Sequence, residues 1–174
     1  MTYADHRRII DVDSHLFELD DFLHNAARPE HAALIPSMHE QKGLAVPQAA
    51  LDRGRELFAR RQSDPATMSK FESALMDNTK SGWSRLGAFD AHERSHTLDV
   101  LGFEMQWVLP TYSFHQMLHV ATDEALTATS KTLNKAMADF CAHDSRLKAV
   151  GYLPLNLGPE AAKSIMDQGF EDGC

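Results

Sequence analysis

Residues 8–18 of the chain are RIIDVDSHLFE, a β-branched run that passes at once into polar side chains. The isoleucines and the valine favour a strand, and the Asp-Ser-His triplet that follows ends it. We therefore predict a first strand over residues 8–13. In parallel α/β folds, functional side chains follow the carboxyl ends of the strands, so this stretch also carries the first candidate site.

Three polar residues of this stretch share a face. Alternate side chains of an extended segment point the same way, which places Asp11, Asp13 and His15 together, and Glu18 follows on the next turn. A carboxylate and an imidazole two residues apart can both reach one cation, and their atoms suit Zn²⁺, Mn²⁺ or Fe²⁺. The alternative is a capping aspartate and a hydrogen-bonded histidine at a strand end. The spacing alone leaves both interpretations open.

Downstream, apolar spacing and the Gly and Pro positions predict alternating helices and strands. Strands are expected at 105–109 and 147–153, each closed by a proline. Helices are expected at 18–28, 47–61, 91–101, 122–143 and 159–168, with another opening at Pro65. Irregular segments are expected at 29–46 and 78–87. The order strand, long helical insertion, strand, helix, strand, helix predicts a parallel α/β sheet with right-handed crossovers.

Two further motifs follow the second predicted strand. Pro110 and Thr111 stand at its carboxyl end and are candidates for lining a substrate cleft. His115 and His119 are four residues apart and could bind zinc on a helix, but the metalloprotease pattern needs Glu where Gln116 stands. We therefore favour the interpretation that the two histidines belong to the polar start of a helix over the hypothesis of a small zinc protein. The sequence contains no Gly-rich phosphate loop, nucleophile elbow or CxxC motif.

Composition and charge narrow the class of protein. The 17 Lys and Arg against 25 Asp and Glu give a formal charge of −8, which argues against nucleic-acid and anionic-membrane partners. No apolar run approaches the ~20 residues of a membrane span, and the N-terminus has no apolar signal core. Two cysteines cannot form a disulfide framework, so a cytoplasmic location is expected. The 174 residues suit one domain but fall short of the roughly 250 of a closed eight-stranded barrel.

Three segments resemble one protein family, in the same order along the chain. Residues 10–18, with the pattern Asp-x-Asp-x-His-x-x-Glu, resemble the opening strand of the amidohydrolase-related metal-dependent hydrolases, the kin of aminocarboxymuconate-semialdehyde decarboxylase. Residues 94–111, which end in a Pro-Thr strand end, resemble the second unit of that family. Residues 134–154, with an Asp-x-Arg-Leu turn and a strand ending in Pro, resemble its third unit.

The resemblance implies a (β/α)₈ TIM barrel that binds one divalent metal ion, Zn²⁺ or Mn²⁺, at the carboxyl ends of its strands. Asp13 and His15 stand where the family has its first two ligands, and a carboxylate in place of an imidazole favours the harder Mn²⁺. Asp11 and Glu18 match the motif in supporting roles that orient the strand end and the ligands. The implied activity is hydrolysis or non-oxidative decarboxylation of a small organic or aromatic carboxylate.

The family's remaining ligands and its catalytic acid/base, a His and an Asp on later strands, have no counterpart in the sequence. We therefore expect residues 1–174 to be a single, incomplete barrel domain of about three β/α units, with the helical insertion at 19–88 over its mouth. The competing hypothesis is a non-catalytic α/β module. Such a module would cover its open sheet with a partner chain or by forming a homo-oligomer.

Overall fold

The computed structural model describes residues 2–41, 45–77 and 82–174. In these ranges the strands are β1 (Ile10–His15), β2 (Met105–Leu109) and β3 (Leu147–Ala149). The helices are α1 (Phe22–Ala26), α2 (Gln48–Ser63), α3 (Pro65–Ser73), α4 (Ala91–Leu101), α5 (Tyr112–Met117), α6 (Asp123–Cys141) and α7 (Pro159–Asp172). Short 3₁₀ turns lie at Ala32–Leu34, Met38–Glu40, Gly82–Ser84 and Leu155–Leu157. The protein is therefore of the mixed α/β class that the sequence predicts.

The strands form one parallel sheet in the order β1-β2-β3. The pairing of β1 with β2 runs from Ile10 opposite Met105 to His15 opposite Leu109, with a register shift in the middle of β1. Because consecutive strands are parallel neighbours, their carboxyl ends lie at the same edge of the sheet. The predicted parallel sheet is confirmed, although β1 lies two residues later than the predicted strand at 8–13.

Helices α4 and α6 pack on one face of this sheet. Val108 of β2 and Leu147 of β3 are buried in one apolar cluster with Leu98 of α4 and with Leu133 and Met137 of α6. Apolar residues recur at three- and four-residue spacing in α6, so one side of this helix faces the core. Burial of this apolar surface is the main favourable contribution to folding.

The opposite face of the sheet is open. Ile10, Val12 and Trp107 are 50%, 61% and 49% exposed. Trp107 lies between Gln106 and Val108, which are both buried on the helical side. Parallel sheets are usually covered on both faces, which makes this open apolar face the most unusual feature of the fold.

Local signals predict several helix ends correctly. α4 follows Asp90, whose carboxylate accepts the N–H of Glu93 at 2.9 Å, and it ends at Gly102, whose φ of 73° is left-handed. α6 follows Thr122, whose hydroxyl accepts the N–H of Ala125 at 3.1 Å. The predicted helix at 91–101 is confirmed, and the one at 122–143 is correct to within two residues at each end.

Asn134 of α6 changes the end of the predicted third strand. Its side chain donates to the Tyr152 carbonyl at 3.0 Å and accepts the Tyr152 N–H at 2.6 Å. These bonds hold the backbone after β3 against α6, so β3 ends at Ala149 instead of residue 153. The last helix, predicted at 159–168, continues through Gly169 to Asp172 and ends at Gly173, whose φ of 105° is left-handed.

The first predicted helix, at 18–28, is wrong in its first turn. α1 begins only at Phe22, because Glu18 is buried and its carboxylate accepts backbone N–H groups of residues 111–113. Because the Glu18 carboxylate binds these distant N–H groups, the backbone at Glu18 is not part of α1. The apolar spacing of residues 19–26 gave no sign of this contact.

Parts of both predicted irregular segments lie outside the described residues, namely 42–44 and 78–81. The described part of the second segment includes the 3₁₀ turn Gly82–Ser84, in which Trp83 is buried. Within the described ranges, no helix combines the length and the apolarity that crossing a membrane requires.

Asp144 and Arg146 tie the start of β3 to α4. Arg146 donates from Nη2 to the Asp144 carboxylate at 2.6 Å, and the Ser95 hydroxyl donates to the same group at 2.5 Å. The Arg146 guanidinium holds the pKa of the Asp144 carboxyl well below its usual range. A carboxylate whose pKa is lower in the folded state stabilises the fold above the unfolded pKa of about 4 and loses that contribution as the pH falls.

We expect Asp144→Asn to reduce the acid sensitivity of the fold. Between about pH 5 and pH 2, the free energy of unfolding of the wild type should fall more steeply than that of the variant. Urea unfolding followed by circular dichroism at several pH values measures both slopes. Asp139→Asn, which removes a half-exposed carboxylate from α6, is the matched control and should keep the wild-type slope. Equal slopes for Asp144→Asn and the wild type would contradict the prediction.

Candidate functional site

Asp13 and His15 lie at the carboxyl end of β1, at the edge where functional side chains of parallel folds gather. His15 Nε2 is 3.4 Å from Asp13 Oδ1, and the two side chains are 45% and 85% exposed. His15 pairs with Leu109, which places it on the open face of the sheet with Trp107. The two predicted ligands are therefore in contact and accessible.

The spacing of this pair fits two ligands of one ion. With ion–ligand distances of about 2.1 Å, two corners of a tetrahedron lie about 3.4 Å apart. That is the separation of Asp13 Oδ1 and His15 Nε2. Across the described ranges, no group of three or more His, Cys, Asp or Glu side chains is arranged to hold an ion. Among the described residues, the pair therefore offers two ligand atoms at this separation.

Asp11, predicted to support the ligands, links β1 to β2. Its Oδ1 accepts the backbone N–H of Asp13 at 3.1 Å, and its Oδ2 accepts from Gln106 Nε2 at 3.2 Å. Asp11 pairs with Gln106 on the helical side, whereas His15 lies on the open face, so the expectation that Asp11 shares a face with His15 is wrong. The register shift of β1 between these two residues is the reason. Asp11 therefore holds the backbone of the candidate ligand Asp13 in place relative to the neighbouring strand.

Glu18 is fully buried between the ends of β1 and β2. Its two carboxylate oxygens accept the N–H groups of Thr111, Tyr112 and Ser113 at 2.9–3.2 Å, which are N–H groups that a helix start leaves free. Burial raises the pKa of the Glu18 carboxyl, and the N–H donors oppose that rise. Glu18 therefore attaches the segment after β2 (residues 110–113) to the end of β1.

Thr111 and Pro110, the predicted cleft residues, belong to this segment after β2 and are half-buried. Thr111 Oγ1 is 3.0 Å from His15 Nδ1. The backbone N–H of Leu16 donates to the Leu109 carbonyl at 2.9 Å, which keeps the two strand ends side by side. Thr111 therefore contacts a candidate ligand directly, a role that its position after a strand did not predict.

Arg94 of α4 holds the same end of β1. Its guanidinium donates to Ser14 Oγ at 2.7 Å, to the His15 carbonyl at 2.8 Å and to the Gly87 carbonyl at 2.6 Å. Burial lowers the pKa of this guanidinium to about 10, and the Asp11 carboxylate opposes the shift. Because these donors bind oxygens of the protein itself, Arg94 orients the strand end.

Three aromatic side chains, which the sequence did not single out, attach the insertion to this edge of the sheet. Trp83 donates from Nε1 to the Glu18 carbonyl at 2.9 Å, and its ring stacks on Tyr112 with centroids 4.4 Å apart. Phe17 meets Trp83 edge-on at 6.0 Å. No local pattern reveals such a cluster, because its members come from three separate segments of the chain.

The two histidines after β2 do not form a pair on one helix. α5 ends at Met117, so it contains His115 but not His119, and the zinc pair that the sequence allowed but did not favour is not formed on a helix. Cys141 is buried in α6, and burial raises the pKa of its thiol to about 12. A thiol with such a pKa is almost fully protonated near neutral pH and is a poor nucleophile.

A cavity of about 550 Å³ opens beside β1. Asp13 and His15 line part of it, and residues 75–77 and 85–88 line another part. Pro110 and Thr111, which were expected to line a cleft, are not among the residues that line this cavity. Gln106 also borders the cavity, and its Oε1 is buried without a hydrogen-bond partner among the described residues. The candidate ligands therefore adjoin a space large enough for a small organic molecule.

Comparisons with protein-family models, with curated proteins and with solved structures gave no match for this chain. The family resemblance of the motifs therefore remains a prediction. The function has to be inferred from the geometry at the ends of β1 and β2.

Proposed function

We propose that the chain forms the first part of a metal-dependent hydrolase or non-oxidative decarboxylase, in which Asp13 and His15 bind one divalent ion. The observation that carries this proposal is the 3.4 Å separation of Asp13 Oδ1 and His15 Nε2 at the carboxyl end of β1. A carboxylate and an imidazole supply the ligand atoms that Zn²⁺ and Mn²⁺ accept.

The winding of the sheet supports a barrel. The strand order follows the chain order, and α4 and α6 lie on one face, as crossover helices do when the connections all run in one direction. A doubly wound sheet has the same order over its first three strands and reverses only at a later switch point. In a (β/α)₈ barrel, the open face that carries Ile10, Val12 and Trp107 would become the interior, covered by further strands.

The proposed chemistry follows from the ligand atoms that Asp13 and His15 supply. A bound divalent ion supplies a Lewis acid, which activates water for hydrolysis or polarises a substrate carboxylate or carbonyl for decarboxylation. Asp13 and His15 hold that centre, while Asp11 and Glu18 keep the two strand ends in register. Aromatic side chains line the adjoining cavity, which suits a small organic or aromatic carboxylate as substrate.

Titration of the purified protein with Zn²⁺ and with Mn²⁺ in a calorimeter tests the proposal. We expect Asp13→Ala and His15→Ala each to weaken binding by roughly 100-fold, or about 2.7 kcal/mol, because each removes a ligand. The double variant should show no specific binding.

Asp5 and His6 provide the matched control. They form an exposed pair of the same two residue types, with His6 Nδ1 2.9 Å from Asp5 Oδ2. Replacing both by alanine should leave binding unchanged if the ion binds at β1. Metal binding that survives in the Asp13→Ala/His15→Ala protein would contradict the proposal.

The open sheet face favours a second candidate function, a non-catalytic α/β module that assembles through this face. An exposed apolar patch on a parallel sheet is typical of an interface. Sedimentation velocity separates the two candidates. A stable dimer or hetero-complex without metal binding supports the module, and a monomer without a cooperative melt contradicts it.

A further inference from the structure

We propose that His92 and His143 form a metal site of their own, which binds one transition-metal ion of the Ni²⁺ or Cu²⁺ class between α4 and the turn after α6 (residues 142–146). The two histidines come from distant parts of the chain, and neither belongs to the candidate site at the end of β1. The site is therefore independent of the function proposed above.

The imidazole rings of His92 and His143 lie against each other at the surface of the protein. Their centroids are 3.9 Å apart, their planes are inclined by 59°, and both residues are exposed. His96, one turn further along α4, contacts Glu72 at 2.7 Å, whereas within the described ranges no hydrogen bond or ion pair involves His92 or His143. The ring nitrogens of this pair are therefore available to a ligand.

The separation of the two rings is close to that of two imidazoles on one ion. With metal–nitrogen distances of about 2.0–2.1 Å and bond angles of about 90–110°, the centroids of two ligated rings lie about 4.5–5.3 Å apart. The pair therefore has to open by about 1 Å to hold an ion. Exposed side chains open by this amount through small rotations about their side-chain torsions, so the backbone does not have to move.

Polar contacts hold together the two elements that carry the histidines. The Ser95 hydroxyl donates to the Asp144 carboxylate at 2.5 Å, and Arg146 Nη1 donates to Asp99 at 2.8 Å. Ser95 and Asp99 follow His92 on the same side of α4, and their partners follow the second histidine in the turn. The turn after α6 therefore runs along one side of α4. Because the two backbones are already in place, binding costs little conformational entropy.

Two imidazoles select a class of ion. Nitrogen ligands suit Cu²⁺, Ni²⁺ and Zn²⁺, whereas Mg²⁺ and Ca²⁺ prefer oxygen ligands. Water completes the coordination of an ion on this pair, because both histidines are exposed. An ion held by both rings links the turn before β3 to α4. Binding should therefore stabilise the fold, since the unfolded chain does not hold the two rings together.

Titration with Ni²⁺ in a calorimeter tests the site. The starting protein carries Asp13→Ala and His15→Ala, so that the candidate ligands at β1 do not contribute, and a pH of about 7.5 keeps most imidazoles neutral. We expect one Ni²⁺ to bind per chain and Mg²⁺ not to bind. His92→Ala and His143→Ala should each weaken Ni²⁺ binding by roughly 100-fold, because the second bond to an ion already held is intramolecular.

The variants also show whether the two histidines share one ion. If they do, the double variant His92→Ala/His143→Ala should bind Ni²⁺ little more weakly than either single variant, because the chelate is already lost in each. Two separate ions would instead leave one Ni²⁺ bound with unchanged affinity in each single variant. That result would overturn the proposal.

His96→Ala is the matched control. His96 is also accessible and lies four residues from His92 on α4, a spacing at which two histidines of one helix can bind a metal ion. We expect His96→Ala to keep the affinity of the starting protein for Ni²⁺. A loss equal to that of His143→Ala would overturn the assignment of His143 as the partner of His92.

Thermal unfolding gives a second readout. Ni²⁺ at about 100 times its dissociation constant should raise the melting temperature of the starting protein, because the ion binds only the folded chain. Neither single variant should respond at that concentration. An equal rise in His143→Ala would mean that Ni²⁺ stabilises the fold at another place, and it would overturn the proposal.

The two metal sites are tested separately. Absence of Ni²⁺ binding in the starting protein overturns the site at His92 and His143, whatever Zn²⁺ and Mn²⁺ do at β1. Because Zn²⁺ also accepts imidazole ligands, the titrations of Asp13 and His15 are made in the His92→Ala/His143→Ala protein. Absence of Zn²⁺ and Mn²⁺ binding there contradicts the proposed function and leaves the site at His92 and His143 standing.

Discussion

Replacing Glu93 by alanine is expected to lower the free energy of unfolding by about 3–5 kcal/mol, because it leaves a buried guanidinium without its counter-charge. Arg61 of α2 donates from Nε and Nη2 to the two oxygens of Glu93, both at 2.8 Å. The side chains are 0% and 3% exposed. Bulk solvent therefore does not reach the Arg61 guanidinium in the wild type, and its charge depends on Glu93 for compensation.

Glu93 also joins the insertion to the site. Its Oε2 accepts the N–H of Gly87 at 3.1 Å, and the Gly87 carbonyl in turn accepts from Arg94, which holds the end of β1. Besides lowering the free energy of unfolding, loss of Glu93 should therefore weaken the attachment of α2 and the contacts that hold the cavity wall at Gly87.

Urea unfolding followed by circular dichroism measures the effect. Glu56→Ala is the matched control, because Glu56 and Arg60 form an exposed pair on α2, 3.8 Å apart, and such a pair contributes about 0.5 kcal/mol or less. Arg61→Met combined with Glu93→Leu should cost less than the sum of the single changes, because neither charge is then left unpaired. Equal effects of Glu93→Ala and Glu56→Ala would contradict the prediction.

Leu133→Ala is expected to destabilise the protein by about 2–5 kcal/mol. Leu133 is fully buried in the centre of α6, in the apolar cluster that contains Val108 and Leu147 of the sheet. Removing its side-chain carbons loses apolar burial and leaves a cavity that a packed helix-on-sheet layer closes only in part.

Thermal unfolding checks this prediction. For a chain of this length, the expected loss lowers the melting temperature by roughly 5–15 °C. Leu118→Ala makes the same chemical change at a side chain that is 54% exposed and should cost about 0.5 kcal/mol or less. A melting temperature of Leu133→Ala within error of Leu118→Ala would mean that α6 does not pack on the sheet as described.

The ends of helices and strands were predictable where they are set by neighbouring residues in the sequence. The capping residue Thr122 and the left-handed Gly102 set helix ends through contacts within one turn, so the sequence reveals these ends. The strand at 105–109 was equally clear, because a compact apolar run is closed by a proline that cannot join the ladder. Elements whose ends depend on distant partners were not predictable. β3 is one of these, because its end depends on the hydrogen bonds of Asn134 with Tyr152.

In the candidate site, too, features set by neighbouring residues were predictable and those set by distant residues were not. Asp13 and His15 were recognised as a pair from their spacing, because alternate residues of a strand share a face. The contacts of Thr111 and Arg94 with His15 were not recognised, since they join positions more than 75 residues apart. Nothing in the sequence near either residue marks such a pairing.

The sequence by itself determined the α/β class, the order of strands and helices, and the residues at the carboxyl end of β1, because periodicity, caps and prolines act over a few residues. The tertiary structure alone decided that Glu18 is buried beneath the segment after β2, that Arg61 meets Glu93, and that one face of the sheet stays open. These features depend on which distant segments meet and on how much water their contact excludes. Burial and register arise only when the whole chain has folded.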